Sequence, residues 1–406
     1  MRLTAPEHIR EKRIGYLSGA PRISTHPKAE MSGPKSHILG FVLGFKSLGW
    51  DVDEFIVGNH VPKSWVIEGS EHAISRNFVS RLIADIVRLA LGWVNSKIAW
   101  QVIDSRVDFV YERVATFQFL GSVFKKRGVM WILETNGPLY FEAKHERNSL
   151  VLDKIAKSLE VKCYKNCDTI VCVTETIKAF LIAELGIPSS KIFVMPNAVN
   201  TEVFDPAKYK PNKIFDGFTI GFVGRMYDYQ GLEMLLQAAD ELNSEGIAIH
   251  LVFVGDGIVR SGLEEQTRNS KIAKLVHFEG RVAWDSVPEY IMGFDVCYSG
   301  QVEMQIGLMY HSPLKIYEYM SMGKTVIASA FDDARSVISD RKNGFLFEPG
   351  NVLDLKSAIR SAYEMRHSLP DMGLEARESM VANHSWAKRI KGLIEHIDSI
   401  EIRNQE

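Results

Sequence analysis

Strand-like and helix-like segments alternate along this chain from end to end, and nothing else in the sequence restricts the fold as much. Apolar runs at residues 13–18, 52–57, 109–112, 129–134, 169–174 and 192–195 have the length and composition of strands. Helical patterns at 35–48, 117–126, 149–164 and 176–185 lie between them. Such alternation predicts a parallel sheet covered by helices on both faces. A polar stretch, 201–217, with Pro206, Pro211 and several lysines, reads as a linker. The pattern then restarts, with strands at 218–223, 247–254, 275–278, 296–298 and 325–328 and a helix at 232–242. The fold class is therefore α/β, with two successive doubly wound, Rossmann-like units. Neither unit has Gly-x-Gly-x-x-Gly after its first strand, which argues against a dinucleotide dehydrogenase.

Ligands of open parallel sheets bind at the carboxyl ends of strands. Residues 312–329, Ser-Pro-Leu-Lys-Ile-Tyr-Glu-Tyr-Met-Ser-Met-Gly-Lys-Thr-Val-Ile-Ala-Ser, read as a complete anion-binding unit. Ser312 is placed to cap a helix and Pro313 to occupy its first position. The amides of Leu314 and Lys315 would then point out of the helix end, where the dipole favours phosphate. Lys315 adds a full charge, and Glu318 lies one turn on, where a carboxylate can grip a sugar diol. Gly323 stops the helix. Earlier, Gly224 and Arg225 end the first strand of the second unit. Glycine lets the backbone turn close to a ligand, and arginine presents a fork suited to diphosphate.

The 312–329 segment closely resembles the nucleotide-sugar signature of the retaining GT-B glycosyltransferases of glycosyltransferase family 4 (group 1), many of which read Ser-Pro-x-Lys-x-x-Glu-Tyr-Met-Ala-x-Gly-Lys-Pro-Val-Ile-Ala. The resemblance implies two Rossmann-like domains facing across a cleft. It sets an acceptor-binding domain at 1–205, a nucleotide-sugar domain at 206–384, and a last helix, about 385–406, returning to the first domain. It implies a nucleotide-diphosphate donor, UDP-linked, and a glycan or lipid-linked acceptor in cell-surface polysaccharide or glycolipid synthesis. Gly33, Gly224, Arg225, Arg281, Val282, Tyr310, Ser312, Leu314, Lys315 and Glu318 become donor-binding candidates. Arg225, Lys315 and Asn136 become catalytic ones, and Lys35, His37, Glu134 and Asn136 acceptor contacts. Asn136 stands near where many members carry a histidine. Asparagine cannot act as a base but can orient a hydroxyl. The sequence departs from the family twice. Gln230 occupies the lysine position of Gly-Arg-x-x-x-x-Lys-Gly, so either Lys315 carries that charge or the grip on the donor is weaker. Tyr310 occupies the first position of Glu-x7-Glu, and Tyr310, His311 or Glu303 is expected to read the donor sugar instead.

No Asp-x-Asp pair sits at a suitable strand end, so the expectation is metal-independent transfer with no cofactor beyond the substrate. With a formal charge of −2 over 406 residues, a global basic field for nucleic acid is absent. Cys163, Cys167, Cys172 and Cys297 lack metal-ligand spacing and read as reduced core thiols of a cytoplasmic protein. The first residues, 1–13, carry no apolar run of signal-peptide type, and no apolar stretch is long enough to span a membrane. Residues 74–100 hold Arg76, Arg81, Arg88 and Lys97 among Phe78, Leu82, Ile86, Leu89, Trp93 and Trp100. They fit either a helix lying on an anionic inner membrane face or an ordinary domain helix whose apolar face meets its own sheet. The basic residues form no dense cluster, which favours the second. Two rival functions share the fold: an epimerase or hydrolase of UDP-sugars, and a non-catalytic nucleotide-sugar-binding subunit, the latter prompted by Gln230 and Tyr310. Oligomeric state is not legible from the sequence.

Overall fold

The computed structural model describes residues 12–62, 77–103, 106–146, 148–304 and 307–405. The chain forms two compact units. One takes Met1–Val173, Ile177–Met195 and Ile390–Glu406; the other takes Thr174–Thr176 and Pro196–Arg389.

The first unit holds a six-stranded sheet, β1 (Arg13–Ser18), β2 (Asp51–Ile56), β3 (Phe109–Arg113), β4 (Met130–Thr135), β5 (Thr169–Cys172) and β6 (Ile192–Val194), in the order β2-β1-β3-β4-β5-β6. The second holds β7 (Thr219–Val223), β8 (His250–Val254), β9 (Val276–Gly280), β10 (Val296–Ser299), β11 (Thr325–Ser329) and β12 (Gly344–Phe347), in the order β12-β11-β10-β7-β8-β9. Every pairing is parallel. The inner strands are buried on both faces, which is why they appear in sequence as unbroken apolar runs rather than alternating ones. The chain begins one strand in from the edge of the first sheet and at the centre of the second, and in each it reverses direction once, between β1 and β3 and between β7 and β10. A crevice opens at the carboxyl end of such a reversal.

Four helices position the residues of interest: α1 (Gly33–Ser47), α2 (Phe78–Val102), α3 (Leu232–Ser244) and α4 (Leu314–Ser321). Leu232, Leu235, Leu236, Ala239 and Leu242 give α3 an apolar face of helical period, packed on Ile220, Phe222, Leu251 and Phe253 of β7 and β8. The closing helix, Trp386–Gln405, starts in the second unit and ends in the first.

The structure corrects several expectations. Residues 201–217 are not a free linker: Phe204 is buried in the second unit's core, Ser321 Oγ and Arg377 Nη1 both donate to its carbonyl, and Arg377 pairs with Asp205 at 2.9 Å. The second unit accordingly begins at Pro196. The helix expected at 117–126 shrinks to Ser122–Lys125, because the Glu112 carboxylate takes the amides of Leu120 and Gly121 at 2.8 Å each. Strand β12 and the helices Val352–Glu364 and Leu369–Asn383 had no separate sequence signal. All four cysteines are buried and none of them forms a disulfide.

The largest correction concerns α2. Ile74 and Arg76 lie outside the described residues. From Asn77 onward, the helix faces its own unit with Asp85, Gly92, Asn95, Ser96 and Ala99. Asp85 accepts from the amides of Val151 (2.7 Å) and Leu152 (2.9 Å), and Asn95 donates to Gln118 Oε1 at 3.3 Å. A Cβ on Gly92 would lie 2.1 Å from the Phe117 carbonyl oxygen, so the backbones touch there. Small and polar residues fill the inward face, joined by Leu89 on the Phe117 and Ala143 cluster and Trp100 on Phe124, while Val79, Ile83, Ile86, Trp93, Val94 and Ile98 point outward.

Candidate active site

In the second unit the reversal between β7 and β10 is built from backbone laid directly on backbone. Gly224 ends β7 at φ +138° and Gly255 ends β8 at φ +128°; a Cβ on Gly255 would meet the Gly224 carbonyl oxygen at 2.0 Å. Gly231 opens α3 at φ +61°, with the Gly300 carbonyl oxygen 2.1 Å from where a Cβ would stand and its own carbonyl held by Tyr298 OH at 2.8 Å. Side chains are excluded at these positions, which brings the strand ends and the first turn of α4 close together.

Lys315 stands at the centre of this arrangement. Its Nζ is 3.0 Å from Gln230 Oε1 and 3.9 Å from the centroid of the Phe222 ring. A Cβ on Gly224 would lie 3.4 Å from the same nitrogen. Burial lowers the Lys315 pKa to about 7 against the opposing pull of Glu318. Burial likewise raises Glu318 to about 7, with Lys315 acting against it. The site thus holds a cation and a carboxylate that each exchange protons near neutrality. Gln230, buried, supplies no second charge; its carbonyl oxygen accepts from the ammonium and fixes where it points. Arg225 follows Gly224 directly and is half-buried. At the end of β9, Arg281 pairs with Asp256 at 3.3 Å, and the half-buried Val282 packs on the core.

Two expected roles change. Ser312 does not cap α4. Its hydroxyl accepts from the Asn197 amide at 3.0 Å, and the capping position falls on Pro313, with Leu314 as the first helical residue. The Tyr310 ring is buried and packs edge-on against His311 at 5.0 Å, while its carbonyl accepts from Thr174 Oγ1. Its neighbour His311 is half-buried and lies 5.4 Å from Tyr229.

The expected residues of the first unit form a separate cluster at the ends of β1, β3 and β4. Gly33 opens α1 and is exposed. Lys35 is turned inward and donates to the carbonyls of His26 (2.8 Å) and Ala29 (2.7 Å), so it ties a turn together rather than offering a charge to an acceptor. His37 Nε2 lies 3.0 Å from Glu134 Oε2, Asn136 Nδ2 donates to Glu134 Oε1 at 2.5 Å, and Arg113 approaches the same carboxylate at 3.7 Å. Burial alone would push the Glu134 pKa up. His37, Arg113 and Asn136 outweigh it and hold the carboxyl at about 2. Glu134 and His37 are fully enclosed, which makes them supports rather than acceptor contacts. Asn136 is the half-buried member, oriented by Glu134.

Sequence reasoning missed Arg113 and Phe222. The strand-end rule that singled out Arg225 also covers Arg113, the last residue of β3, whereas the ring beneath Lys315 had no signal distinct from core. Among the described residues no three of His, Cys, Asp and Glu gather as a ligand set for a metal.

Residues 217–365 match the family described as "Glycosyl transferases group 1", and residues 31–203 match "Glycosyltransferase Family 4". An uncharacterized glycosyltransferase of Methanocaldococcus jannaschii is 22% identical over 304 residues, 73% of this chain and 74% of that protein. The UDP-Gal:alpha-D-GlcNAc-diphosphoundecaprenol alpha-1,3-galactosyltransferase of Escherichia coli is 25% identical over 70% of this chain and 73% of its own length. The crystal structure of Anabaena HepE in complex with UDP superposes with a TM-score of 0.65 at 13% identity, covering 95% of this chain and 100% of that one. With two six-stranded parallel sheets, both halves matched and a shared architecture, the chain belongs to the family 4, group 1 glycosyltransferases and has their GT-B fold.

Proposed function

We propose that this protein is a retaining, metal-independent glycosyltransferase that moves a sugar from a UDP-sugar to a glycan or lipid-linked acceptor in cell-surface polysaccharide or glycolipid synthesis, acting in the cytoplasm at the inner membrane face. The observation that carries this reading is Lys315, whose ammonium is fixed by Gln230 over Phe222 beside the Gly224 turn, with Glu318 one helical turn on. The diphosphate lies against Lys315, Arg225 and the opening of α4, and Glu318 takes the ribose hydroxyls. The HepE structure contains UDP, and the Escherichia coli relative is named for a diphosphoundecaprenol-linked acceptor; both support the substrate classes.

In the reaction the bond from the anomeric carbon to the diphosphate oxygen breaks and a bond to the acceptor oxygen forms on the same face. The acceptor proton passes to the departing phosphate, so no strong enzymatic base is required. Negative charge grows on the diphosphate in the transition state, and Lys315 and Arg225 stabilise it there more than in the ground state. Asn136, held by Glu134, orients a sugar hydroxyl.

The test is a melting-temperature screen of nucleotides followed by assays with radiolabelled donor. UDP and one UDP-sugar raise the transition, because they bind the native state only. Transfer to a lipid-linked or glycan acceptor then yields an α-configured product by NMR from an α-linked donor, and persists in EDTA. Sugar released to water or epimerised without acceptor assigns the chain to the rival enzymes; tight UDP binding without turnover assigns it to a binding subunit; loss in EDTA restored by Mg²⁺ removes metal independence.

A further inference from the structure

Helix α2 presents a continuous apolar face to the outside. Val79 (63% exposed), Ile83 (56%), Ile86 (55%) and Trp93 (57%) lead onto Val94 and Ile98, all on one side of a helix of 25 residues. At 1.5 Å per residue the face from Val79 to Ile98 runs for about 29 Å. A soluble surface normally breaks up such a stripe with charge. Here the sole acidic residue of the helix, Asp85, is turned inward onto the amides of Val151 and Leu152, and Arg88 closes over it at 3.2 Å. The exposed arc therefore carries no carboxylate at all.

Arg81 and Arg88 turn back onto their own unit, Arg81 to Asn148 and Arg88 to Asp85 and the Ser149 carbonyl, which leaves the outward cations at one end. Lys97 lies on the face itself, its Nζ 3.5 Å from the centre of the Trp93 ring. The Arg127 guanidinium sits 4.4 Å from the Trp100 ring, next to the exposed Lys126. Tryptophans paired with lysine and arginine beside an aliphatic stripe match the boundary between acyl chains and anionic headgroups. A second copy of the chain is a poorer match. Pairing this face with itself would cover the stripe but offer its cations no opposite charge. Among the described residues, no helix is long and apolar enough to cross a membrane, so the geometry is that of a helix lying on the surface.

We infer that the outer face of α2, with the Lys97, Lys126 and Arg127 end, docks the first unit onto an anionic lipid bilayer. The inference deepens the inner-face placement of the proposed function and shares that part of it, but it is argued from the exposed face, and vesicle binding can fail while sugar transfer stands.

The test uses the full chain and vesicles, with neither donor nor acceptor present. Wild type co-sediments with vesicles of phosphatidylglycerol and phosphatidylcholine in roughly equal parts, and much less with phosphatidylcholine alone. The double variant Ile83→Glu/Ile86→Glu places carboxylates where both side chains are already more than half exposed. It should keep its melting temperature and its response to UDP while losing about tenfold or more in vesicle partitioning. Lys126→Glu/Arg127→Glu should remove the preference for phosphatidylglycerol while leaving the weaker binding to phosphatidylcholine. Wild type that stays in the supernatant with both vesicle types overturns the inference, as does an Ile83→Glu/Ile86→Glu variant that binds like wild type. Sedimentation velocity without vesicles should show a monomer. A dimer dissociated by Ile83→Glu/Ile86→Glu overturns the inference in favour of self-association.

Discussion

Lys315 is an ammonium whose charge depends on what lies next to it. Burial holds its pKa at about 7, so above that pH it is largely neutral in the empty site. A diphosphate beside it favours the charged form, so binding draws in a proton. UDP affinity should therefore fall as pH rises from about 7 towards 9, by up to about tenfold per pH unit for one linked proton. Glu318, raised to about 7 by burial, takes the ribose hydroxyls as a carboxylate, so binding favours its ionised form and releases a proton below about pH 7, the opposite sign, which leaves the window above pH 7 to Lys315. Calorimetry in two buffers of different ionisation enthalpy measures the uptake, and Lys315→Met should remove most of it; binding without proton uptake at pH 8 contradicts the assignment. For turnover, Lys315→Ala should lower kcat by about two orders of magnitude. Gln230→Lys in that background should restore part of the loss, since the two side chains reach one point from different elements. Glu318→Ala should weaken UDP by about 1.5–3 kcal/mol through the lost hydrogen bonds to a charged group. Gly224, Arg225, Lys315 and Glu318 were legible because strand ends and helix starts are marked by residue type. That Gln230 would serve as acceptor for Lys315 was not, since 85 residues separate them and no periodicity links a loop to a helix in another part of the sheet.

At the scale of elements, the strands were readable because strands buried on both faces must be apolar throughout. Helix α2 was misread because periodicity shows that a helix has two faces without showing which one meets the protein. Its inner face is specified by hydrogen bonding and close approach: Asp85 on two amides, Asn95 on Gln118, Gly92 beneath a carbonyl. Asp85→Ala leaves two half-buried amides without their acceptor and Arg88 without its carboxylate, at up to about 1–3 kcal/mol for each unsatisfied group. Thermal unfolding should drop by several degrees, on the order of 2–4 °C per kcal/mol for a unit of this size. Asp85→Asn keeps one acceptor and should lose less. Equal melting of Asp85→Ala and wild type would mean that the inward face of α2 is held by packing alone. Ser312 is a smaller case of the same kind: Ser-Pro reads locally as a cap, but Asn197, distant in sequence, takes the hydroxyl.

Across the whole molecule, the same doubly wound plan occurs twice with different fillings at the reversal. In the second unit the reversal is open backbone with one titrating lysine. In the first it is a closed polar cluster around Glu134, whose pKa of about 2 lies below the ordinary 4.5. A depressed carboxyl stabilises the fold above its unfolded pKa, so the first unit should lose stability as pH falls from about 4.5 towards 2. Glu134→Gln should flatten that part of the acid-unfolding curve while lowering stability at neutral pH. The two-unit plan was legible from alternation alone. The boundary was not, because the prolines and lysines of 201–217 suggest a linker, while Phe204, one buried ring, fixes the segment to the second core. Apart from Gly33, the residues assigned to the donor lie between Gly224 and Glu318, within the second unit. Hydrogen exchange with saturating UDP tests whether that unit grips the donor unaided. Amides contacted by diphosphate, or stiffened around it, exchange more slowly in proportion to the binding free energy. Slowing is expected in peptides covering 224–232 and 312–319, with no change at 33–37 or 134–137. Protection at 33–37 with UDP alone would bring the opening of α1 into the donor site, the role that the family resemblance implies for Gly33, and would mean that the nucleotide engages both units before any acceptor arrives.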